Sequence, residues 1–241
     1  MKKLKFPNLY LDKKSRHPKL FTVNLIPGEK YFDEDLKKLD TKFLGHRKNE
    51  IFSSDFKKIQ GLELRHFDAK RSKLAAAIVK DVSQIGIKED SKVLYLGASH
   101  GYTCSFLSDM VNNGIIFALD FAPRVVRDLI FLTQKRKNLI PIMADANQPR
   151  TYAHRIFPVD IVFMDVAQKN QTEIFLKNCD QFLKEGGFGL FSVKSRSIDI
   201  TKKPKKIYQE VRAELEKHVT IVDFRILDPY EKDHCIFVIK K

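Results

Sequence analysis

From about residue 70 onward, short apolar runs alternate with longer stretches whose apolar residues recur at helical spacing, and few folds accommodate that alternation. The runs Val93–Leu96, Ile115–Leu119, Leu139–Met143, Ile161–Met164 and Phe188–Val193 lack polar alternation, as strands covered on both faces do. Between and around them lie helical stripes. Leu74, Ala77, Ile78, Val82 and Ile85 make the first, and Phe106, Leu107, Met110 and Val111 the second. Val125, Val126, Leu129 and Ile130 close on Lys135-Arg136-Lys137, cations suited to a helix C-terminus. Ile174, Phe175, Cys179, Phe182 and Leu183 run to a stop at Gly186-Gly187, and Pro204 opens a last helix carrying Ile207, Tyr208, Val211 and Leu215.

Strands separated by helices run parallel, because the chain needs the helix to return to the same edge. The final runs, Val219–Leu227 and Cys235–Ile239, are joined by only Asp228-Pro229-Tyr230-Glu231-Lys232-Asp233, so they pair antiparallel. The predicted fold class is α/β: a mostly parallel seven-stranded sheet with an antiparallel last strand, the Rossmann-like arrangement of methyltransferases. Residues 1–60 read differently. Leu20-Phe21-Thr22-Val23-Asn24-Leu25-Ile26 ends at Pro27-Gly28, which predicts short strands and hairpins. The expected organisation is a small β-rich domain over 1–60, too poor in apolar residues for its own core and packed on a larger domain over 61–241.

Net charge is +14 over 241 residues, and about half of that excess lies in the first 60. Such a surface attracts polyanions, nucleic acid first among them, although a simply solvated lysine-rich surface remains an alternative. No apolar stretch is long enough to span a membrane, and the basic N-terminus lacks the apolar core of a secretory signal. Cys104, Cys179 and Cys235 are widely separated, so they suggest a reducing, cytoplasmic setting and offer no metal framework.

In a doubly wound sheet, ligands sit beyond the C-terminal ends of the strands. The first strand ends in Gly97-Ala98-Ser99-His100-Gly101-Tyr102-Thr103, a small-residue turn into a helix whose free N–H groups suit a polar ligand. Any tight strand-to-helix turn also wants glycine. The second strand ends in Asp120-Phe121, about 20 positions on, where a carboxylate can accept from ribose hydroxyls. The third ends in Asp145-Ala146, placed to accept from an adenine amino group or to cap the next helix. The turn departs from GxGxxG and no cation adjoins Asp120, which favours S-adenosylmethionine (SAM) over a dinucleotide. The fourth strand ends in Asp165-Val166-Ala167-Gln168 and the fifth in Lys194. A lysine at the end of a buried strand is expensive unless paired, so Lys194 is expected to pair with Asp165. Lys73 starts a helix and His234 opens the last strand; each also has an ordinary explanation, as an exposed lysine and a satisfied loop histidine.

Several segments together carry a more specific pattern: Asn24-Leu25-Ile26-Pro27-Gly28, Arg71-Ser72-Lys73-Leu74-Ala75-Ala76-Ala77, Val93-Leu94-Tyr95-Leu96-Gly97-Ala98, Arg127-Asp128-Leu129, Asp165-Val166-Ala167-Gln168, Gly186-Gly187 and Asp228-Pro229-Tyr230-Glu231-Lys232-Asp233-His234. In these the chain resembles the fibrillarin family of RNA ribose 2′-O-methyltransferases, in its short archaeal form without a Gly/Arg-rich tail. The resemblance implies a SAM site at Gly97, Ala98, Gly101, Tyr102, Thr103, Asp120, Phe121, Asp145, Ala146 and Asp165 through Gln168. It further implies a catalytic set of Lys73, Asp165, Lys194 and His234, with Lys194 expected as proton acceptor, its amine desolvated and oriented by Asp165.

Two positions depart from the family: Tyr102 replaces a small threonine and Asp120 a glutamate, changes expected to shift the nucleoside slightly. Implied partners are a box C/D guide RNA, target rRNA or tRNA, a Nop-domain scaffold protein reached through the N-terminal region, and a kink-turn-binding protein. Lys202, Lys203, Lys205 and Lys206 are expected either to touch RNA phosphates or to be a simply solvated helix start. Two other readings stay open at this point: a methyltransferase acting on RNA without guide or scaffold, and a non-catalytic scaffold subunit.

Overall fold

The computed structural model describes residues 1–13, 17–39 and 61–241. Its N-terminal part is an antiparallel sheet of β1 (Lys2–Lys3), β2 (Leu9–Asp12), β3 (Lys19–Val23), β4 (Leu36–Lys38) and β5 (Glu63–Phe67), in the order β1-β2-β3-β5-β4. Glu63–Phe67 lies beyond the boundary expected at residue 60 yet pairs with β3 and β4, so the N-terminal sheet reaches Phe67. Residues 14–16 and 40–60 of the region expected to be β-rich are outside the described residues.

Alternate side chains on these strands take opposite faces. Leu9, Leu11, Leu20 and Phe67 merge with the core of the larger domain, while Tyr10, Phe21, Leu39 and Leu64 form a small cluster of their own. The sheet therefore divides its apolar burial between its neighbour and a small core of its own, which its composition did not lead one to expect.

The larger sheet holds β6 (Lys92–Leu96), β7 (Ile115–Asp120), β8 (Leu139–Met143), β9 (Val159–Met164), β10 (Leu183–Lys194), β11 (Thr220–Ile226) and β12 (His234–Lys240). The order is β11-β12-β10-β9-β6-β7-β8, and β12 alone runs against its neighbours. Val93, Tyr95, Ile116, Ala118, Ile161 and Phe163 face one buried layer. Leu94, Leu96, Phe117, Leu119, Val162 and Met164 face the other. Burying such side chains fully contributes about 1.5–3 kcal/mol each, which explains why the central strands contain no polar alternation.

The helices are α1 (Lys73–Val79), α2 (Tyr102–Met110), α3 (Pro123–Lys135), α4 (Gln171–Phe182), the single turn α5 (Ser195–Ile198) and α6 (Pro204–Leu215). The helix expected to run on to Ile85 ends at Val79, because Asp81 turns the chain with φ 57°. Val82 and Ile85 stay buried in the following loop, so their spacing reflects core contacts and not helix. Likewise α4 passes directly into β10, and Gly186-Gly187 lies where the β9–β10 register shifts between Leu183 and Phe188.

The junction of the two sheets is built around Asp109 of α2. Its Oδ1 accepts from Leu25 N–H at 3.0 Å and Arg136 Nη1 at 2.7 Å. Its Oδ2 accepts from Thr22 Oγ1 at 2.7 Å and Arg65 Nη1 at 2.8 Å. Arg65 also donates from Nε to Glu34 at 2.8 Å and from Nη2 to Ser105 Oγ at 3.0 Å. Two guanidiniums thus balance two carboxylates in a closed interior. Burial alone would raise the Glu34 carboxyl pKa, but Arg65 and the Phe32 N–H outweigh it and hold Glu34 below the usual range.

Candidate active site

The strand order reverses at β6, between β9 and β7, and this opens a crevice at the C-terminal ends of those strands. There the chain turns through Gly97 with φ 77°, and a Cβ at that position would lie 2.6 Å from the Asp165 carbonyl oxygen. Glycine is what lets the ends of β6 and β9 close together. The N-cap of α2, Gly101, supplies no side-chain hydrogen bond, so the first-turn N–H groups at Tyr102 and Thr103 are open to a polar ligand group. Asp120, at the end of β7, accepts from Ser99 N–H at 3.0 Å and Ala122 N–H at 3.1 Å. Its carboxylate is fixed toward the turn with lone pairs to spare. Phe121 beside it is 67% exposed, a large apolar ring at the rim, and Ala98 and Ala146 at the neighbouring strand ends are buried.

Asp145 is exposed and receives Asn147 N–H at 2.9 Å and Asn147 Nδ2 at 3.1 Å. Asn147 also donates to Gln168 Oε1 at 3.0 Å, so amides link the ends of β8 and β9. An open helix start, a pinned strand-end carboxylate, an exposed aromatic and a polar edge fit the carboxylate, ribose and adenine parts of SAM.

The expected ion pair has a different cation. Asp165 meets Lys73 Nζ at 3.1 Å, both about one-fifth exposed, whereas Lys194 is exposed and makes no pair with Asp165. The desolvation expected of Lys194 is absent because β10 ends there and its side chain reaches solvent. Lys73 is correspondingly no free helix-start lysine. Burial works against its charge, but Asp165 and Glu231 outweigh it and raise its pKa above the ordinary lysine value.

His234 lies directly across the β10–β12 pair from Lys194. Its Nδ1 is 2.7 Å from the Lys232 carbonyl, which makes Nδ1 the donor and leaves Nε2 with its lone pair. Burial, with Lys73 and Lys194 adding to it, lowers the imidazole pKa against the opposing pull of the Lys232 carbonyl and Asp165. The four expected catalytic residues do converge, with Lys73 in place of Lys194 as the partner of Asp165.

Tyr102 does not crowd the crevice. Its ring turns toward the N-terminal sheet, against Phe32, Phe67 and Phe106, and its hydroxyl accepts from Asp68 N–H at 3.2 Å. Three contributors escaped the sequence reading. Glu231 is a second carboxylate beside Lys73, and burial raises its pKa against the lowering effect of Lys73. Asn147 carries the amide link. Gln171, fully buried, donates to the Lys194 carbonyl at 3.2 Å and accepts from the Lys194 N–H at 3.1 Å, fixing the end of β10. A polar residue on the apolar stripe of α4 was the one available signal for Gln171.

Comparison with known proteins bears on this geometry. The family model described as Fibrillarin matches residues 1–241. A fibrillarin-like rRNA/tRNA 2′-O-methyltransferase of Thermococcus onnurineus is 41% identical over 244 residues, covering 100% of this chain and 99% of that protein. A crystal structure of Aeropyrum pernix fibrillarin with natively bound S-adenosyl-L-methionine has TM-score 0.81 and 33% identity, over 97% of this chain and 94% of that one. A crystal structure of a fibrillarin/Nop5p complex has TM-score 0.79 and 34% identity, over 99% of this chain and 100% of that one.

Proposed function

The chain belongs to the fibrillarin family, and on that premise we propose that it is a SAM-dependent methyltransferase that modifies ribose 2′-hydroxyls of rRNA and tRNA. It works as the catalytic subunit of a box C/D ribonucleoprotein. The observation that carries this reading is the convergence of Lys73, Asp165, Lys194 and His234 beside a crevice fitted to SAM. The similarity to a fibrillarin held with Nop5p supports a Nop-domain scaffold as partner. A guide RNA selecting the nucleotide by base pairing, and a kink-turn-binding protein, complete the proposed particle. The +14 charge supports an RNA partner.

SAM would be held by Gly97, Ala98, Gly101, the backbone N–H groups of Tyr102 and Thr103, Asp120, Phe121, Asp145, Ala146 and Asp165 through Gln168, and would supply an electrophilic methyl group. The protein's own task is to orient a weakly acidic hydroxyl and receive its proton. Asp165 keeps Lys73 as a fixed ammonium, a positive wall for the RNA backbone. Nε2 of neutral His234 takes the hydroxyl proton, leaving the electron pair on oxygen. Lys194, locked at its backbone by Gln171, presents a cation to the developing oxyanion. Its place opposite His234 also favours a second reading, in which the Lys194 amine receives the proton.

On the segment that follows β10, Lys202 is paired with Glu210 at 2.9 Å, while Lys203, Lys205 and Lys206 carry no ion pair among the described residues and are exposed. Reconstitution with guide RNA, scaffold and kink-turn protein should give methylation at the guided 2′ position. Methylation without guide or scaffold would support a stand-alone enzyme, and SAM binding without methylation a scaffold subunit. Lys194→Ala should keep SAM binding and lose most activity. His234→Asn at wild-type rate would return the proton to Lys194.

A further inference from the structure

Lys73 projects from the first residue of α1, and the turn that leads into it is fastened to the start of α2. Ser72 caps α1, and its Oγ accepts from Thr103 Oγ1 at 3.0 Å with both residues buried. One position earlier on each side, the Arg71 guanidinium lies 4.1 Å from the centre of the Tyr102 ring and donates from Nη1 to the Phe32 carbonyl at 2.9 Å. The Tyr102 hydroxyl then accepts Asp68 N–H at 3.2 Å, at the head of the same turn. The edge-on contact of Phe32 with the Tyr102 ring, centroids 5.4 Å apart, closes the arrangement on the N-terminal side.

We propose that Tyr102 is a positioning residue: with Arg71 and Asp68 it braces the 68–72 turn so that Lys73 Nζ meets Asp165. A residue at the SAM-facing end of α2 thereby acts on the catalytic cation through a side chain directed away from the crevice. A threonine or alanine at 102 reaches neither Asp68 N–H nor Arg71. The tie from the turn to the start of α2 would then be Ser72–Thr103 without the Tyr102 contacts, and small errors in placing a charged group are costly in rate.

The proposal rests on the methyltransferase reading, and its tests separate the two. In the reconstituted particle, Tyr102→Ala should leave SAM affinity and the target-RNA KM unchanged while kcat falls roughly tenfold or more. Tyr102→Phe keeps the ring over Arg71 and loses only the hydroxyl, so it should restore part of kcat. Wild-type kcat in Tyr102→Ala overturns the brace, as does an equal loss in SAM affinity, which would mark Tyr102 as an ordinary cofactor contact. Arg71→Met, at an exposed side chain, serves where Tyr102→Ala does not fold. NMR of the Lys73 ammonium in the isolated chain needs no activity. Its titration midpoint should fall toward the ordinary lysine value in Tyr102→Ala, and an unmoved midpoint sinks the brace even if the wild-type particle methylates. A silent wild-type particle with a moved midpoint would instead sink the functional reading.

Discussion

Two ionic clusters stand about α2, and they are opposite in kind. At the sheet junction, Arg65, Arg136, Glu34 and Asp109 are sealed, with side chains at most 1% exposed and both Asp109 oxygens doubly occupied. At the crevice, Asp165 has Lys73 as its ion-pair partner, Lys194 reaches solvent and Nε2 of His234 is open. Charges sealed in the interior are out of a substrate's reach, even with Arg136 Nε and Nη2 left without hydrogen-bond partners; they fix the relative placement of two sheets. Under-saturated charges at a strand edge keep donors and acceptors for an incoming molecule. One cluster is closed to solvent and the other is open to it, and that exposure tells them apart.

Breaking the sealed cluster should have the largest effect on folding. Asp109→Ala strands two buried guanidiniums and should cost about 3–5 kcal/mol, read by urea denaturation. A loss below about 1 kcal/mol would mean the junction admits water freely. The matching change in the open cluster, Asp165→Asn, should cost only about 0–1 kcal/mol of stability. Guided methylation should fall about 10²-fold in the same variant, because an electrostatic partner of the reaction is gone. Equal destabilisation by the two substitutions would erase the distinction.

A pH profile sharpens the contrast further. Burial lowers the His234 pKa, so its imidazole stays neutral where an ordinary histidine already protonates; activity should hold through that range and fall only at a lower pH. The groups acting on that ring are Lys73, Asp165 and Lys194, with the Lys232 carbonyl at Nδ1. Single-turnover rates across pH check this, and His234→Asn should lose the acid limb together with most of the rate. Replacing Lys203, Lys205 and Lys206 with glutamine should have the smallest effect: weaker RNA binding, with the logarithmic salt slope shallower by about 0.7 per lost single-strand contact. An unchanged slope would mean that these lysines are simply solvated.

The sheet was legible because each strand announces its two covered faces locally. The expected Val93–Leu96 and Leu139–Met143 agree with β6 and β8 to within a residue. Helix lengths were less legible: Val82 and Ile85 are buried by tertiary contact, which apolar spacing cannot separate from helical burial. The candidate residues were read from strand ends and family motifs, and their convergence follows from topology. Their pairing was misread, since sequence does not say that α1 brings Lys73 closer to Asp165 than Lys194 lies. Gln171 and the outward turn of Tyr102 stayed hidden for the same reason.

Sequence alone thus determined the alternation of strand and helix, the reversed last strand, the basic surface and which residues stand at the strand ends. These are properties of neighbours along the chain, encoded in spacing and residue type. Tertiary structure alone decided which lysine Asp165 holds, which histidine nitrogen is open, and that Arg65 and Asp109 are sealed together. Those depend on distances between residues remote in sequence, where a few ångströms separate a sealed charge from an open one.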